Sequence, residues 1–400
     1  MTPIQPALTT FSKQTPALMQ ANSKYHIQTT IPGKILLAGE YSVLFGGTAL
    51  AATVNSCMQI QASSEDSLPN SAIRITSDLW TQPIAFDKEA WPLETNIVLS
   101  TLKNCLYFGR LQNLDLHIDT GIDHRHGFGS SSALRLGIIA AIKILAKQKF
   151  FKNQKLIELN IDEKESIALR ALEYQRADQT LASGYDIITQ LMGGLIEYKS
   201  NSYLDIDAFK HGAFNQRAST TPSWPGVLRQ DISKQTFDNL NRYFHVFVGG
   251  AGAPTKSSIQ LCLEDFLEQE QKTPGFVDKY FHLSQDLIFS ISSLLNHKIA
   301  TENDSPHRGL DQLISILSRH RKLLETNRIF PLHLLHILEA LPGFDKTWSF
   351  KTTGAGGEDA ILLIGEAQDI LAATEALKLS GWSYLPNIFS PLALSAELMQ

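Results

Sequence analysis

The segment His126-Gly127-Phe128-Gly129-Ser130-Ser131-Ser132-Ala133, followed at once by an apolar run from Leu134 to Leu145, constrains this chain more than any other feature. Its glycines allow tight backbone turns that a side chain would obstruct. Three hydroxyls follow, and then a helix begins. A helix N-terminus carries free N–H groups and a partial positive charge. Together these parts make a seat for an anion, and a phosphate fits it best. Taken alone, such a loop reads equally well as a helix cap, with Ser130 as the capping residue.

Two further segments bear on that choice. The first is Pro32-Gly33-Lys34-Ile35-Leu36-Leu37-Ala38-Gly39-Glu40-Tyr41-Ser42-Val43-Leu44. The second is Lys351-Thr352-Thr353-Gly354-Ala355-Gly356-Gly357-Glu358-Asp359-Ala360. In order, the three blocks resemble the three signature motifs of the GHMP kinases, the superfamily of the galactose, homoserine, mevalonate and phosphomevalonate kinases. The resemblance runs from about Tyr25 to the C-terminus. It implies an α+β chain of two domains, with the active site in the cleft between them.

Composition is compatible with this. Four hundred residues, 43% of them apolar, can build two large cores. A net charge of −5 without a strongly basic terminus gives no reason to expect nucleic acid or an anionic membrane as partner. Cys57, Cys105 and Cys262 are far apart and form no CxxC pair, which points to free thiols in a reducing compartment. There is no secretory pattern at the N-terminus and no apolar run near the roughly 20 residues of a membrane span. The expected setting is cytoplasmic, as a monomer or homodimer.

Residues 1 to 23, rich in Thr, Gln, Pro and Ser, read as a poorly ordered tail. Strands are expected over Tyr25–Ile31 and Lys34–Ala38, joined by a Pro32-Gly33 turn, and over Ala49–Ala62, Ala72–Thr76, Leu114–Ile118 and Gly194–Tyr198. Helices are expected over Leu93–Phe108, Leu134–Lys147 and about Asp162–Leu181. The polar stretch from Ser200 to about Asn241 reads as the junction between domains 24–200 and 201–400. Beyond it the pattern predicts a strand over Tyr243–Val248, three or four helices within Ser257–Leu341, and strands over Trp348–Thr352, Ala360–Ile364 and Trp382–Leu385. A helix over Gln368–Leu379 separates the last two.

Phosphoryl transfer needs positioning and charge neutralisation more than covalent chemistry. By the resemblance, Gly127, Gly129, Ser130, Ser131 and Ser132 cradle the phosphates of ATP, and the Ser131 hydroxyl sits on Mg2+. Phe128 and Ser132 replace the usual Leu and a small residue. Lys34 is either a solvated strand end or, by the resemblance, a catalytic cation. Its amine can contact a transferred phosphoryl group or lower the pKa of a nearby acid. Glu40 and Tyr41 fall on the acceptor side in the family, although a turn carboxylate and a half-buried tyrosine would look the same.

A fourth block, Ala182-Ser183-Gly184-Tyr185-Asp186 with the Gly193-Gly194 pair after it, resembles the Ser-Gly-x-Asp run of mevalonate and phosphomevalonate kinases. It implies Ser183 and Gly184 near the acceptor and Asp186 as the base, the alternative being a helix cap. Glu173, on the preceding helix, is either a second Mg2+ ligand or an ordinary exposed glutamate. Gly354, Ala355, Gly356 and Gly357 bring backbone against the phosphates, or form a plain turn. Asp359 matches the acidic position of phosphomevalonate kinases, whereas the charge of Glu358 lacks an explanation. Arg125, flanked by His124 and His126, could meet an anionic acceptor or form a solvated turn. Gly249 to Ser258 either lines the cleft or caps a helix.

The implied activity is ATP- and Mg2+-dependent phosphorylation of phosphomevalonate, with mevalonate as the alternative acceptor. The Ala-Gly-Glu-Tyr and Ser-Gly-Tyr-Asp runs and Asp359 favour the former. Another GHMP small-molecule kinase, or a ligand sensor without catalysis, is the more distant alternative.

Overall fold

The computed structural model describes residues 23–65, 69, 71–93, 96–105, 111, 113–147, 156–179, 181–200, 204–211, 226–249, 255–296, 307–354 and 356–399. The expected N-terminal tail, apart from Ser23, lies outside them, as do Ala355 and residues 250–254. The chain begins with β1 (Ser23–Ala38), β2 (Thr48–Glu65), β3 (Ala72–Ser77), β4 (Ile84–Asp87), α1 (Ile97–Cys105) and β5 (Leu114–Asp119). Next come α2 (Ser130–Lys147), α3 (Ile161–Gln179), α4 (Tyr185–Met192), β6 (Leu195–Lys199), α5 (Ile206–Lys210), β7 (Val227–Asp231), α6 (Lys234–Tyr243) and β8 (Phe244–Val248). Four helices follow, α7 (Thr255–Lys272), α8 (Phe276–Asn296), α9 (His307–Leu324) and α10 (Leu332–Glu339). The chain ends with β9 (Trp348–Thr352), β10 (Ala360–Gly365), α11 (Leu371–Leu379), β11 (Ser383–Leu385) and β12 (Ser395–Met399).

The result is an α+β architecture on two sheets. The larger runs β12-β1-β2-β5-β3-β4, with β6 on the other half of β2 and β7 on β6. Among its described strands, only β3 and β5 pair in parallel. The expected Pro32-Gly33 turn is corrected here: β1 passes straight through, and the ladder shifts register where Pro32 faces Cys57 and Gly33 faces Val54. Proline has no N–H to give a ladder, so within a strand it falls at such an irregularity. The described residues between Ser200 and Asn241 include α5, β7 and most of α6. β7 and β12, both from beyond residue 200, pair with β6 and β1 in the larger sheet.

Helix α2 lies against β1 and β2 and is buried on most of its circumference. Gly137 lets it approach: a Cβ there would lie 2.5 Å from Ile31 Cδ1 and 2.6 Å from Ile60 Cδ1. Thr29 Oγ1 donates to the Gly137 carbonyl at 3.2 Å, which fixes the helix along the sheet. Its N-terminus, and the serine loop with it, therefore has one position over the sheet.

The smaller sheet, β11-β8-β10-β9, is antiparallel. Its strands β8, β9 and β10 are buried at every position. The segment after β1 leaves the larger sheet's core: Tyr41 and Leu44 pack with Phe266, Tyr280 and Phe350 in the core of the smaller one. The turn that sends it there is tight. Ser42 N–H donates to the Glu40 carbonyl at 2.5 Å, and Tyr41 has φ 57° and ψ −40°. This is a γ-turn, a conformation a bulky residue adopts only under constraint.

Candidate active site

Lys34, on β1, is the residue on which the loops converge. Its backbone N–H donates to the Phe128 carbonyl and its Nζ to the Gly127 carbonyl, both at 2.9 Å. The first and second glycine-bearing blocks are thus joined through one side chain. Burial lowers the Lys34 pKa from its ordinary value, with the charges of Asp186 and Asp359 acting against that shift. Nζ also lies 5.4 Å from the Tyr185 ring centroid. Lys34 is not a solvated strand end: it is 6% exposed.

The second block forms the expected loop and helix start. Gly127 and Gly129 have φ of 65° and 79°, both in the left-handed region that glycine enters freely. A Cβ on Gly129 would lie 3.0 Å from Lys34 Cε and 3.1 Å from Gln190 Nε2, so the loop is packed from below. The Gly129 carbonyl accepts from the Gln190 amide at 3.0 Å and from Ser132 Oγ at 2.9 Å. Ser130 opens α2, whose first N–H groups lack helical partners. Ser131 Oγ accepts from Arg135 Nη1 at 3.2 Å, and the buried Arg135 is also ion-paired with Asp178.

The third block meets the second. A Cβ on Gly127 would lie 3.3 Å from Asp359 Oδ2. Gly354, Gly356 and Gly357 all have positive φ, and Gly356 packs where a Cβ would lie 3.0 Å from Ile329 Cδ1. Glu358 finds a neighbour in His333 of α10, 3.6 Å away. Of residues 249–258, only Gly249 and the start of α7 are described, with Gly249 against Trp382.

In the fourth block, Asp186 accepts a hydrogen bond from Gln175 Nε2 at 2.8 Å. Gly184, with φ of 88°, precedes α4. Ser183 is buried, and its carbonyl accepts from the Tyr198 hydroxyl at 2.8 Å. The Ser-Gly pair thus stands directly before the helix that carries Asp186.

Four of the expected site residues have protein partners of their own. Glu173 is exposed and paired with Arg170 at 3.0 Å. It is two residues from Gln175, and residues two apart on a helix point to nearly opposite sides. Glu40 is not an open acceptor-side carboxylate: it is ion-paired with Lys351 of β9, and both side chains are 2% exposed. Tyr41 is buried against Phe266, with ring centroids 5.7 Å apart. Arg125 remains at the surface, but Asp123 holds it through Nε at 3.0 Å and Nη2 at 2.6 Å. The Arg125 hydrogen bonds in turn hold the Asp123 carboxyl well below the usual carboxylate range. His124 and His126 lie on either side of it, 3.8 Å and 3.6 Å from Asp123.

Lys351, Gln175, Gln190 and Arg135 were given no role by the sequence. Each is a polar residue on an otherwise buried face, the pattern that marks a paired group. Lys351 Nζ also donates to the Thr352 carbonyl at 2.7 Å, and Tyr280 donates to the Glu40 carbonyl at 2.6 Å. Behind Tyr280 lies His320, fully buried and 3.0 Å from Ser284 Oγ. Burial first, and Lys351 second, push its pKa from 6.5 down to about 3. The unfolded chain then binds this proton at a higher pH than the folded one. Stability is therefore lost as pH falls from 6.5 toward 3. At pH 5 the loss relative to pH 7 from this residue alone is about 2 kcal/mol. His320→Asn is expected to flatten that slope by about one proton in urea unfolding between pH 7 and pH 4. An unchanged slope would assign the proton elsewhere.

Residues 96–194 match the family model described as GHMP kinases N terminal domain, so the chain carries that domain. A mevalonate kinase of Saccharolobus solfataricus is 22% identical over 224 residues, which is 54% of this chain and 66% of that protein. The mevalonate kinase structure of Methanococcus jannaschii superposes with a TM-score of 0.60 at 16% identity, covering 94% of this chain and 99% of that one. The Streptococcus pneumoniae phosphomevalonate kinase, in complex with phosphomevalonate and AMPPNP, also gives 0.60 at 16% identity, covering 93% and 99%. At these identities the structures establish the fold.

Proposed function

We propose that this chain, with its GHMP kinase N-terminal domain, is an ATP-dependent small-molecule kinase that transfers the γ-phosphoryl group to phosphomevalonate. The observation that carries the reading is the convergence on Lys34: the Gly127 carbonyl at 2.9 Å, with the charges of Asp186 and Asp359 both acting on it. In this reading the N-terminus of α2 and the positive-φ glycines seat the nucleotide phosphates. Asp186 takes the acceptor's proton as its oxygen attacks. Lys34 offsets charge on the transferred group.

The residues present fit Mg2+ only as an ion carried by the nucleotide. Among the described residues there is no group of three or more His, Cys, Asp or Glu that could hold a metal. Ser131 Oγ keeps a lone pair beyond its Arg135 bond and is the protein oxygen we assign to the ion. Mg2+ commonly keeps substrate phosphates and waters as most of its ligands, and when bound it neutralises phosphate charge. No helix among the described residues is long and apolar enough to cross a membrane.

Mevalonate is the second acceptor to test, because the Saccharolobus relative is a mevalonate kinase and Arg125 is already engaged by Asp123. The test is a coupled ADP-release assay with mevalonate, phosphomevalonate, diphosphomevalonate, homoserine and galactose. Phosphomevalonate is expected to give the highest kcat/KM. Efficient turnover of mevalonate with none of its phosphate would reverse the choice of acceptor, and no turnover with any would favour a ligand sensor.

A further inference from the structure

Helix α3 presents an amide, and not a carboxylate, to Asp186. Gln175 continues the buried stripe Ile167, Ala168, Ala171 and Leu172 and is itself 6% exposed. Its Nε2 donates to Asp186 Oδ2 at 2.8 Å, while its Oε1 is buried without a partner. In this orientation the amide NH2 donates and the carboxylate oxygen accepts. A glutamine this buried has lost rotamer freedom and the hydration of its carbonyl. The bond to Asp186 is the one this side chain makes in return.

We propose that Gln175 is a positioning residue for Asp186, fixing the orientation of the carboxylate toward the acceptor. The assignment rests on the reading of Asp186 as the base. Other groups act on the same carboxylate: Lys34 from β1, Tyr185 on its own helix and Tyr198 from β6, with Asp359 acting on Lys34 from the smaller sheet. The substitutions below remove none of these groups. A hydrogen bond donated to the charged form favours that form, so its removal raises the pKa of the acid. A base works deprotonated, and the acidic limb of the rate profile must then move to higher pH.

The test uses the full chain with Gln175→Met and Gln175→Glu, both close to glutamine in volume. The acidic limb of kcat is expected to rise by about one pH unit in Gln175→Met, the size of one hydrogen bond to a charged group. It should rise further in Gln175→Glu, where a second carboxylate opposes ionisation. The apparent KM for ATP should stay within about twofold, because only the base is disturbed. In parallel, the Asp186 carboxyl is titrated by carbon-13 NMR, assigned by its loss in Asp186→Asn. This reads the pair without turnover. Unchanged titration and unchanged limbs in an active parent would overturn the role of Gln175 alone. A shifted titration in a parent that phosphorylates no acceptor would overturn the kinase reading, and the catalytic meaning of the pair with it.

Discussion

Asp186→Asn is expected to fold, to bind ATP with near-parent affinity, and to turn over about 10²- to 10⁴-fold more slowly, the usual contribution of a positioned base. Asparagine keeps the shape of the side chain, and its carbonyl can still accept from Gln175. It cannot take a proton from the acceptor oxygen. Lys34 would lose one of the two carboxylates acting on it and keep Asp359, so the phosphate side should change little. The measurement is kcat at saturating ATP and acceptor, beside an ATP titration of the same preparation. Near-normal turnover would make Asp186 a helix cap or an orienting group. A large loss of ATP affinity would place it on the nucleotide side.

The parts of this site that were legible in the sequence are those built from local backbone. Gly127 and Gly129 predict turns, the apolar run after Ala133 predicts a helix, and the structure begins that helix at Ser130. The strands of the smaller sheet follow from their periodicity almost to the residue, as with Trp348–Thr352. Partners distant in sequence were not legible. Lys351 and Glu40 are 311 residues apart, and no pattern within either segment announces the other. Glu40 therefore read as an open carboxylate.

For Glu173, helical spacing favours the exposed glutamate of the two readings. The buried stripe of α3 passes through Leu172 and Gln175 and leaves Glu173 outside. A polar residue on that stripe was a better candidate than an acid beside it. The Pro32-Gly33 pair misled through local chemistry. Those residues usually mark a turn, but here the long partner strand β2 carries the chain through an irregularity. Tertiary pairing overrode a local preference, which is the usual fate of weak signals.

Lys351→Met alone is expected to cost about 3–5 kcal/mol of stability, because it leaves the Glu40 charge buried without its partner. Glu40 Oε2 already lacks a hydrogen-bond partner, so little else is at hand to receive the lost interaction. The double variant Lys351→Met with Glu40→Leu should recover most of that loss. Two well-packed apolar side chains avoid the desolvation that both charges incur, and replacing such a pair is often neutral or stabilising. Urea unfolding of the parent, both single variants and the double variant forms a cycle that isolates the pair. A double variant as unstable as the worse single would show that packing around Tyr280 matters here more than charge. The same four proteins separate two roles for Glu40. If it touched the acceptor, the double variant would raise the acceptor KM while leaving that for ATP unchanged. With Glu40 turned into the interior against Lys351, the acceptor KM should instead stay within about twofold of the parent's once stability is restored. The pair would then act by joining the end of β1 to the start of the third glycine loop, so that Lys34 and Asp359 meet across the two sheets.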